Sequence, residues 1–282
     1  ETGANTVTLT VTDVNGNVST ATAVVTVEDS TSPVAVAIDT TVYLDGTGTA
    51  TITAQEIGYG SSDNCVTDSL HIGQTTFVCS EAGTVIPLSL TAYDPTGNSD
   101  TAHFNVTVLD TTSPTATGQG LTVYLDNTGQ ASITTADIEN GSSDNCSIDS
   151  MSLQLYDFDC SFVGDTLIWF AVEDPSGNSD TAYVTITVMD SVAPVAIAND
   201  TTIYLDGTGN ISVTAAVIDN GSWDSCGIAS LVLDETAFDC SETGANTVTL
   251  TVTDVNGNVK TATATVTVVD NESPVAVAID TT

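Results

Sequence analysis

Apolar and polar residues alternate along most of the chain, in short segments separated by turn-forming residues. Residues 84–93 and 101–109 show this pattern over the greatest length, and the polar segment 94–99 joins them. A period of two residues places all the apolar side chains of a strand on one face. Val, Ile and Thr dominate these segments, which also favours strands. Shorter runs of the same kind occur at 34–38, 41–44, 50–53, 70–72 and 75–78.

Turn-forming residues recur every 8 to 12 positions, and long helical patterns are missing from the sequence. Asp45-Gly46-Thr47-Gly48 predicts a hairpin that pairs residues 41–44 with residues 50–53, and it recurs at Asp126 and Asp206. The candidate helices, at 54–57, 135–138 and 215–218, are each about one turn long. About seven short strands in each unit predict an all-β fold of immunoglobulin-like β-sandwiches.

The whole pattern repeats at a period of about eighty residues. Cys65, Cys146 and Cys226 are 81 and 80 residues apart, and the prolines at 33, 114, 194 and 274 follow the same period. We expect Ig-like repeats at 32–112, 113–192 and 193–272, with the second half of a repeat at 1–31 and the start of another at 273–282. Residues 1–41 recur almost unchanged at 242–282, as in a window cut from a longer array. The proline-containing linkers predict restricted angles between neighbours, and the alternative is a flexible chain.

The cysteines form one pair per repeat, and the members of each pair are 14 residues apart. An even count that follows the repeat predicts one disulfide within each domain and an oxidising compartment. The histidines do not recur between repeats, so a zinc site is not favoured. The predicted pairs are Cys65 with Cys79, Cys146 with Cys160, and Cys226 with Cys240.

The charge balance excludes two classes of partner. The chain has 37 acidic residues and one basic residue, Lys260, which gives a formal net charge of −36. Nucleic acids and anionic membranes need lysine or arginine to neutralise phosphate, so we expect neither as a partner. Cations are the expected counter-species. No apolar run reaches the roughly 18 residues of a membrane span, so we expect no membrane insertion by this segment.

Each repeat contains DNC or DSC, a short apolar stretch, CS, a glycine, a V-x-L-x-V/A-x-D-x-x-GN turn and V-x-V-x-D-x-x-x-P. This pattern resembles the hyalin-repeat branch of immunoglobulin-like domains, and especially the long repeat adhesins on the surface of gliding and other Bacteroidetes. The resemblance implies an extracellular, cell-surface protein without enzymatic activity. Relatives often carry a second cysteine pair, where this chain has small residues such as Ala37 and Ala102.

Two sets of acidic residues are candidate calcium ligands. The first lies in the D-x-x-G-N turns, where oxygen ligands at positions one, three and five resemble the opening of a calcium loop. A turn in which Asp caps the backbone explains the same residues, and both interpretations stay open. The turns contribute Asp94, Asn98, Asp174, Asn178, Asp254 and Asn258.

The second set lies in the linkers and at the start of the following repeat. Carboxylates from two adjacent domains can share a calcium ion, and the alternative is that they are solvated acids on strand edges. These residues are Asp29, Asp39, Asp110, Asp190, Asp200 and Asp270, with Asp280 as a further copy. Asp63, Asp144 and Asp224, which precede the first cysteine of each pair, are secondary candidates. No cofactor is required by the sequence, and calcium is the candidate ligand.

Asp followed by Ser or Thr and then a small, aliphatic or threonine residue is similar to the O-glycosylation motif of exported Bacteroidetes proteins. The resemblance makes four hydroxyls near the linkers the leading glycosylation candidates, although Asp and Thr are common throughout this composition. They are Thr40, Thr111, Ser191 and Thr201.

The sequence therefore predicts a non-catalytic extracellular stalk or cell-surface filament. Its expected partners are other copies of the array or extracellular ligands. Nothing in it provides a repeated histidine, a nucleophile beside a base or a phosphate-binding loop. Two alternatives stay open: an adhesin module that binds glycan or protein through the loops between the cysteines, and a spacer in a large secreted enzyme.

Overall fold

The computed structural model describes residues 2–278, so Glu1 and Asp280 lie outside the described part of the chain. Its contacts define two compact units. The first comprises Glu1–Ala116, Ser142–Met151 and Val172–Asp180. The second comprises Thr117–Gly141, Ser152–Ala171 and Thr181–Thr282. The predicted repeat boundaries stay a prediction.

The first unit begins with a two-stranded antiparallel hairpin, β1 (Gly3–Thr12) and β2 (Val18–Val27). The elements of the first full repeat follow: β3 (Thr40–Tyr43), β4 (Thr49–Thr51), α1 (Ala54–Ile57), β5 (Ser69–Ile72), β6 (Thr76–Val78), a 3-10 turn (Cys79–Glu81), β7 (Val85–Tyr93) and β8 (Ser99–Leu109). One sheet has the order β3-β8-β7-β5, and β4 pairs with β6 in a second sheet. The core lies between the two sheets and contains Phe77, Leu90, Phe104, Val106 and Ile57.

The next set of elements repeats this order. It comprises β9 (Leu121–Tyr124), β10 (Gln130–Ser132), α2 (Thr135–Ile138), β11 (Ser150–Leu153), β12 (Asp157–Asp159), a 3-10 turn (Cys160–Phe162), β13 (Gly164–Glu173) and β14 (Ser179–Met189). As in the first repeat, the first and last strands, β9 and β14, pair in parallel.

The second unit ends with the third full set. It comprises β15 (Thr201–Tyr204), β16 (Asn210–Ser212), α3 (Ala215–Ile218), β17 (Ile228–Leu233), β18 (Ala237–Asp239), a 3-10 turn (Cys240–Glu242), β19 (Gly244–Asp254) and β20 (Val259–Val269). The sheets have the orders β15-β20-β19-β17 and β16-β18. Phe238, Ile218, Val248, Leu250 and Val266 form the core between them. The protein is thus a tandem array of all-β, immunoglobulin-like sandwiches, as predicted.

The alternation pattern correctly predicted the longest strands. β7 and β8 pair from Val85 opposite Thr107 to Tyr93 opposite Ser99, across the predicted turn. The predicted one-turn helices are also present, at the predicted residues. At the start of α1, Thr53 and Glu56 form a capping box: the Thr53 hydroxyl accepts from the Glu56 N–H, and the Glu56 carboxylate accepts from the Thr53 N–H.

Two strand predictions were wrong. Residues 34–38 do not form a strand; Val34 makes only an isolated bridge to Ser62. The Asp45–Gly48 turn does not join two paired strands, because β3 pairs with β8 and β4 pairs with β6. The turn instead carries the chain from one sheet of the sandwich to the other. It is closed by the Asp45 carboxylate, which accepts from the Thr47 and Thr49 N–H groups.

The β1–β2 hairpin shows how burial depends on the covering layer. Its sequence is nearly that of β19–β20, but Leu9 is 65% exposed, whereas its counterpart Leu250 is completely buried. In the third repeat, residues such as Leu205, Ile218 and Phe238 cover this face. Among the described residues, no helix is long and apolar enough to cross a membrane.

Candidate functional site at the repeat joints

Disulfides join consecutive repeats. Cys79, in the 3-10 turn after β6, is bonded to Cys146, which follows α2 in the next repeat. Cys160 and Cys226 form the same link one period later. The sequence separations are 67 and 66 residues. Among the described residues, Cys65 and Cys240 are free and exposed.

The predicted pairing within each domain was therefore wrong. Every cysteine recurs at the repeat period, so the spacing between Cys79 and Cys146 is as regular as the spacing between Cys65 and Cys79. Periodicity alone cannot distinguish a bond within one repeat from a bond to the next. The fold decides, because Cys65 lies beside Asp29 of the preceding linker, whereas Cys79 lies beside Asn145 of the following repeat.

Turn glycines make room for the sulfur of the second cysteine in each repeat, which is disulfide-bonded at Cys79 and Cys160 and free at Cys240. Gly48, Gly129 and Gly209 have φ of +73°, +75° and +77°, in the left-handed region that favours glycine. A Cβ on Gly129 would lie 2.9 Å from Cys160 Sγ, and a Cβ on Gly48 would lie 2.7 Å from the Asn145 carbonyl oxygen. These glycines come from the turns that cross between sheets. The sequence marks them clearly, but their role in the joint depends on the disulfide pairing.

Each joint also brings two carboxylates together. In all three copies, an acid from the linker, an acid two residues before a cysteine and that cysteine have ligand atoms within 4.8 Å of one another. The clusters are Asp29–Asp63–Cys65, Asp110–Asp144–Cys146 and Asp190–Asp224–Cys226. In the last two the sulfur belongs to a disulfide, so the carboxylates are the available ligands. The linker acids thus lie beside Asp63, Asp144 and Asp224, which were only secondary candidates in the sequence.

Backbone N–H groups hold these carboxylates in place. Asp144 Oδ2 accepts from the N–H groups of Cys146 and Ser147, at 2.8 and 3.1 Å. Asp110 Oδ1 accepts from the Thr112 N–H at 3.0 Å and from Asn145 Nδ2 at 3.3 Å. Each carboxylate is therefore fixed through one oxygen. For Asp144 both donors are local backbone groups, whereas the Asp110 carboxylate also depends on the side chain of Asn145 in the next repeat.

The remaining oxygens include several with no partner. Asp63 Oδ1, Asp144 Oδ1, Asn145 Oδ1 and Asp190 Oδ2 are buried and accept no hydrogen bond. Such oxygens are uncommon in native proteins, because an unpaired buried acceptor destabilises the fold. Burial raises the pKa of Asp190, and the charges of Asp224 and Asp254 raise it further, against the hydrogen bond from the Val192 N–H.

The D-x-x-G-N turns have a different role. Asp94 Oδ1 accepts from the N–H groups of Thr96 and Asn98, and its Oδ2 accepts from the Asn98 amide at 2.8 Å. The turns of Asp174 and Asp254 repeat this arrangement. Both oxygens of each carboxylate already face donors, so turn capping accounts for these residues and we do not propose calcium there.

The asparagine of each turn reaches back to the preceding linker. Asn98 Nδ2 donates to the Asp29 carbonyl at 3.0 Å, and Asn178 donates to the Asp110 carbonyl at 3.3 Å. Asn258 makes the same bond to Asp190. The turn therefore positions the linker acid of its own joint. The buried linker prolines, such as Pro114, restrict the same segment.

The other acids of the linker set lie apart from these clusters. Asp39 Oδ1 accepts from the Asn105 N–H, and Asp200 Oδ1 accepts from the Thr265 N–H, at the edges of their sheets. Asp270 is exposed and accepts from the Glu272 N–H. The structure thus separates Asp39 and Asp200 from the linker acids with which they were grouped in sequence.

The glycosylation candidates lie near the joints. Thr111 and Ser191 are exposed and directly follow the linker acids Asp110 and Asp190. Thr40 and Thr201 are half-buried first residues of β3 and β15. The first pair is therefore the more accessible to a modifying enzyme.

No protein-family model matches the chain, and no curated protein matches it. Among solved structures, it is similar to extracellular cadherin domains 1–4 of protocadherin gamma B3, with 15% identity over 96% of this chain and 84% of that chain, at a TM-score of 0.34. It is also similar to domains 1–4 of protocadherin gamma B7, with 13% identity over 83% and 75% of the two chains, at a TM-score of 0.33. It is similar as well to the human desmocollin-1 ectodomain, with 13% identity over 92% of this chain and 66% of that chain, at a TM-score of 0.30. At these TM-scores the similarity carries no argument about function.

Proposed function

We propose that the chain is a non-catalytic, extracellular structural and adhesive repeat protein that forms part of a semi-rigid stalk or cell-surface filament. One observation carries the proposal: consecutive repeats are joined covalently, twice, at equivalent positions. Disulfides of this kind form and persist in oxidising compartments. A covalent link between repeats restricts how neighbouring repeats can move apart, which is what a spacer or stalk requires.

The remaining features support the same proposal. The surface is strongly acidic, which keeps a long array soluble and discourages pairing of exposed strand edges. Partners are then other copies of the array or extracellular ligands, and calcium is the candidate cation of the joints. We also propose that the repeats are of the hyalin type, with the boundaries given above, and that Thr111 and Ser191 carry glycans.

Localisation and cysteine state test this proposal together. Antibodies against residues 193–272 would be applied to intact source cells and detected by immunogold electron microscopy. We expect label on structures outside the cell. Cys65 and Cys240 should react with an alkylating agent directly, whereas the four disulfide-bonded cysteines should react only after a reductant is added. Label confined to the cell interior, with all cysteines freely alkylated, would refute the proposal. A soluble secreted product with label on a catalytic complex would favour the spacer alternative.

A further inference from the structure

The paired carboxylates at the joints have features that the stalk proposal does not use. Only 9% of the surface of Asp190 is exposed to solvent, yet its Oδ2 atom has no hydrogen-bond partner. That residue belongs to the cluster in which the ligand oxygens of Asp190 and Asp224 lie within 4.8 Å of each other. Two carboxylates this close repel each other unless a cation or a proton lies between them. The one basic residue of the chain is Lys260, so side chains of this chain cannot neutralise three such pairs.

The same arrangement recurs in the joint one period earlier. There Asp144 Oδ1 and Asn145 Oδ1 are the buried oxygens without partners, and Asp110 is the linker acid. In both joints backbone N–H groups fix one oxygen of each acid. The contacts of Asp110 and Asp144 are described above. In the second joint, Asp190 Oδ1 accepts from the Val192 N–H, and Asp224 Oδ1 accepts from the Cys226 N–H. The chain therefore holds two carboxylates whose ligand oxygens lie within 4.8 Å of each other, and it does so at successive joints.

We propose that each disulfide-linked joint binds one calcium ion, held by the linker acid and the acid before the cysteine: Asp110 with Asp144, and Asp190 with Asp224. The inference rests on the proposed structural role of the joints. Calcium accepts six to eight oxygen ligands in flexible geometry, so two carboxylates, Asn145 Oδ1 in the first joint and waters can complete the shell. Magnesium demands a stricter octahedron and fits a two-carboxylate site less well.

A surface cleft adjoins one acid of each pair, Asp224 at the second joint and Asp110 at the first. A cleft of about 370 Å³ at the second joint is lined by Asp224, Trp223 and Val192. A cleft of about 360 Å³ at the first joint is lined by Asp110, Cys146 and Pro175. Few protein ligands and an open cleft predict modest affinity, with a Kd on the order of 10⁻⁴ to 10⁻³ M, the range of extracellular modules.

Trp223 provides a local probe of the second joint, because it is half-exposed, adjoins Asp224 and lines the cleft. The experiment uses the full chain with its disulfides intact, stripped by a chelator, in about 0.15 M potassium chloride to screen diffuse attraction. Calcium binding is followed by titration calorimetry, and by Trp223 fluorescence in a Trp169→Phe background. We expect saturable binding and a fluorescence change with the same midpoint.

Variants that each remove one negative charge distinguish binding at the site from diffuse attraction of calcium to the acidic chain. Asp190→Asn and Asp224→Asn should each abolish the Trp223 response and remove one bound ion. Asp200→Asn removes the same charge from a sheet edge and should leave both readouts unchanged. Retained binding at the first joint shows that the Asp190→Asn chain is folded. At calcium ten times the Kd, each occupied site should lower the apparent unfolding constant about elevenfold.

Three results would overturn the inference: no saturable binding, an equal loss in Asp200→Asn, or an unchanged Trp223 response in Asp190→Asn. A proton shared by the two carboxylates would give the first of these results. The outcome is independent of the surface-labelling test, because calcium can bind whatever the location of the protein, and a calcium-free joint can still belong to a surface stalk.

Discussion

Removing the Cys160–Cys226 disulfide should destabilise the second unit strongly. The bond closes a segment of 66 residues, and the chain-entropy treatment of disulfides gives about 4 kcal/mol for a loop of this length. The perturbation is the double variant Cys160→Ala/Cys226→Ala, which leaves no unpaired thiol from this bond. Trp169 and Trp223 report on the surrounding repeats, so urea unfolding can be followed by fluorescence. We expect the free energy of unfolding to fall by up to about 4 kcal/mol.

Cys240→Ala is the matched control. Cys240 is free, and we expect its loss to change the free energy of unfolding by no more than about 0.5 kcal/mol. If the bond were within the repeat, Cys240→Ala would destabilise the chain as much as Cys226→Ala does. That result would refute the pairing between repeats. Proteolysis without reduction, followed by mass spectrometry, gives an independent check through the Cys160–Cys226 and Cys79–Cys146 peptides.

Two further predictions concern the turns that cross between the sheets. Gly48→Ala should lower the free energy of unfolding by more than about 1 kcal/mol and hinder formation of the Cys79–Cys146 bond, because φ is +73° and a Cβ would meet both Cys79 Sγ and the Asn145 carbonyl. Gly46→Ala is the control, since nothing lies within 4 Å of a Cβ at that position. Equal urea midpoints for the two variants would contradict the explanation. The hydrogen bond from the Thr208 hydroxyl, followed by those from backbone N–H groups, lowers the pKa of Asp206 below its usual 3.8. Since the folded-state pKa is the lower one, the stabilising contribution is complete above the unfolded value and disappears as the pH falls through the folded value. The stability advantage of the wild type over Asp206→Asn should therefore shrink below about pH 4, and a constant difference down to pH 2 would be evidence against it.

Local signals in the sequence were sufficient for much of the fold. The alternation over residues 84–93 and 101–109 and the turn between them fix β7 and β8, because a two-residue period and a short polar turn are local properties. The partner of β3 could not be predicted in the same way. Its parallel pairing with β8 joins residues 66 positions apart, from Thr40 opposite Val106 onward, and no local pattern encodes that choice.

The site was predictable only in part, for the same reason. The linker acids Asp110 and Asp190 could be chosen as candidates from the sequence, because they recur near the proline of each linker. Their partners were wrongly expected at Asp39 and Asp200, whose carboxylates cap neighbouring strands. The acids they do meet, Asp63, Asp144 and Asp224, became prominent only when the fold brought the DNC and DSC segments to the linkers.

The two disulfides also change the route by which tension would pass along the chain. A pull that reaches Cys79 crosses through sulfur to Cys146, follows residues 147–159, and crosses again from Cys160 to Cys226. The intervening segments, including β7–β8 and β13–β14, lie off this covalent path. Bonds that span 67 and 66 residues shorten the fully stretched chain by roughly 450 Å. Between Cys79 and Cys226 the oxidised chain can thus lengthen only through residues 147–159, whereas reduction would release the bridged segments as a reserve of length.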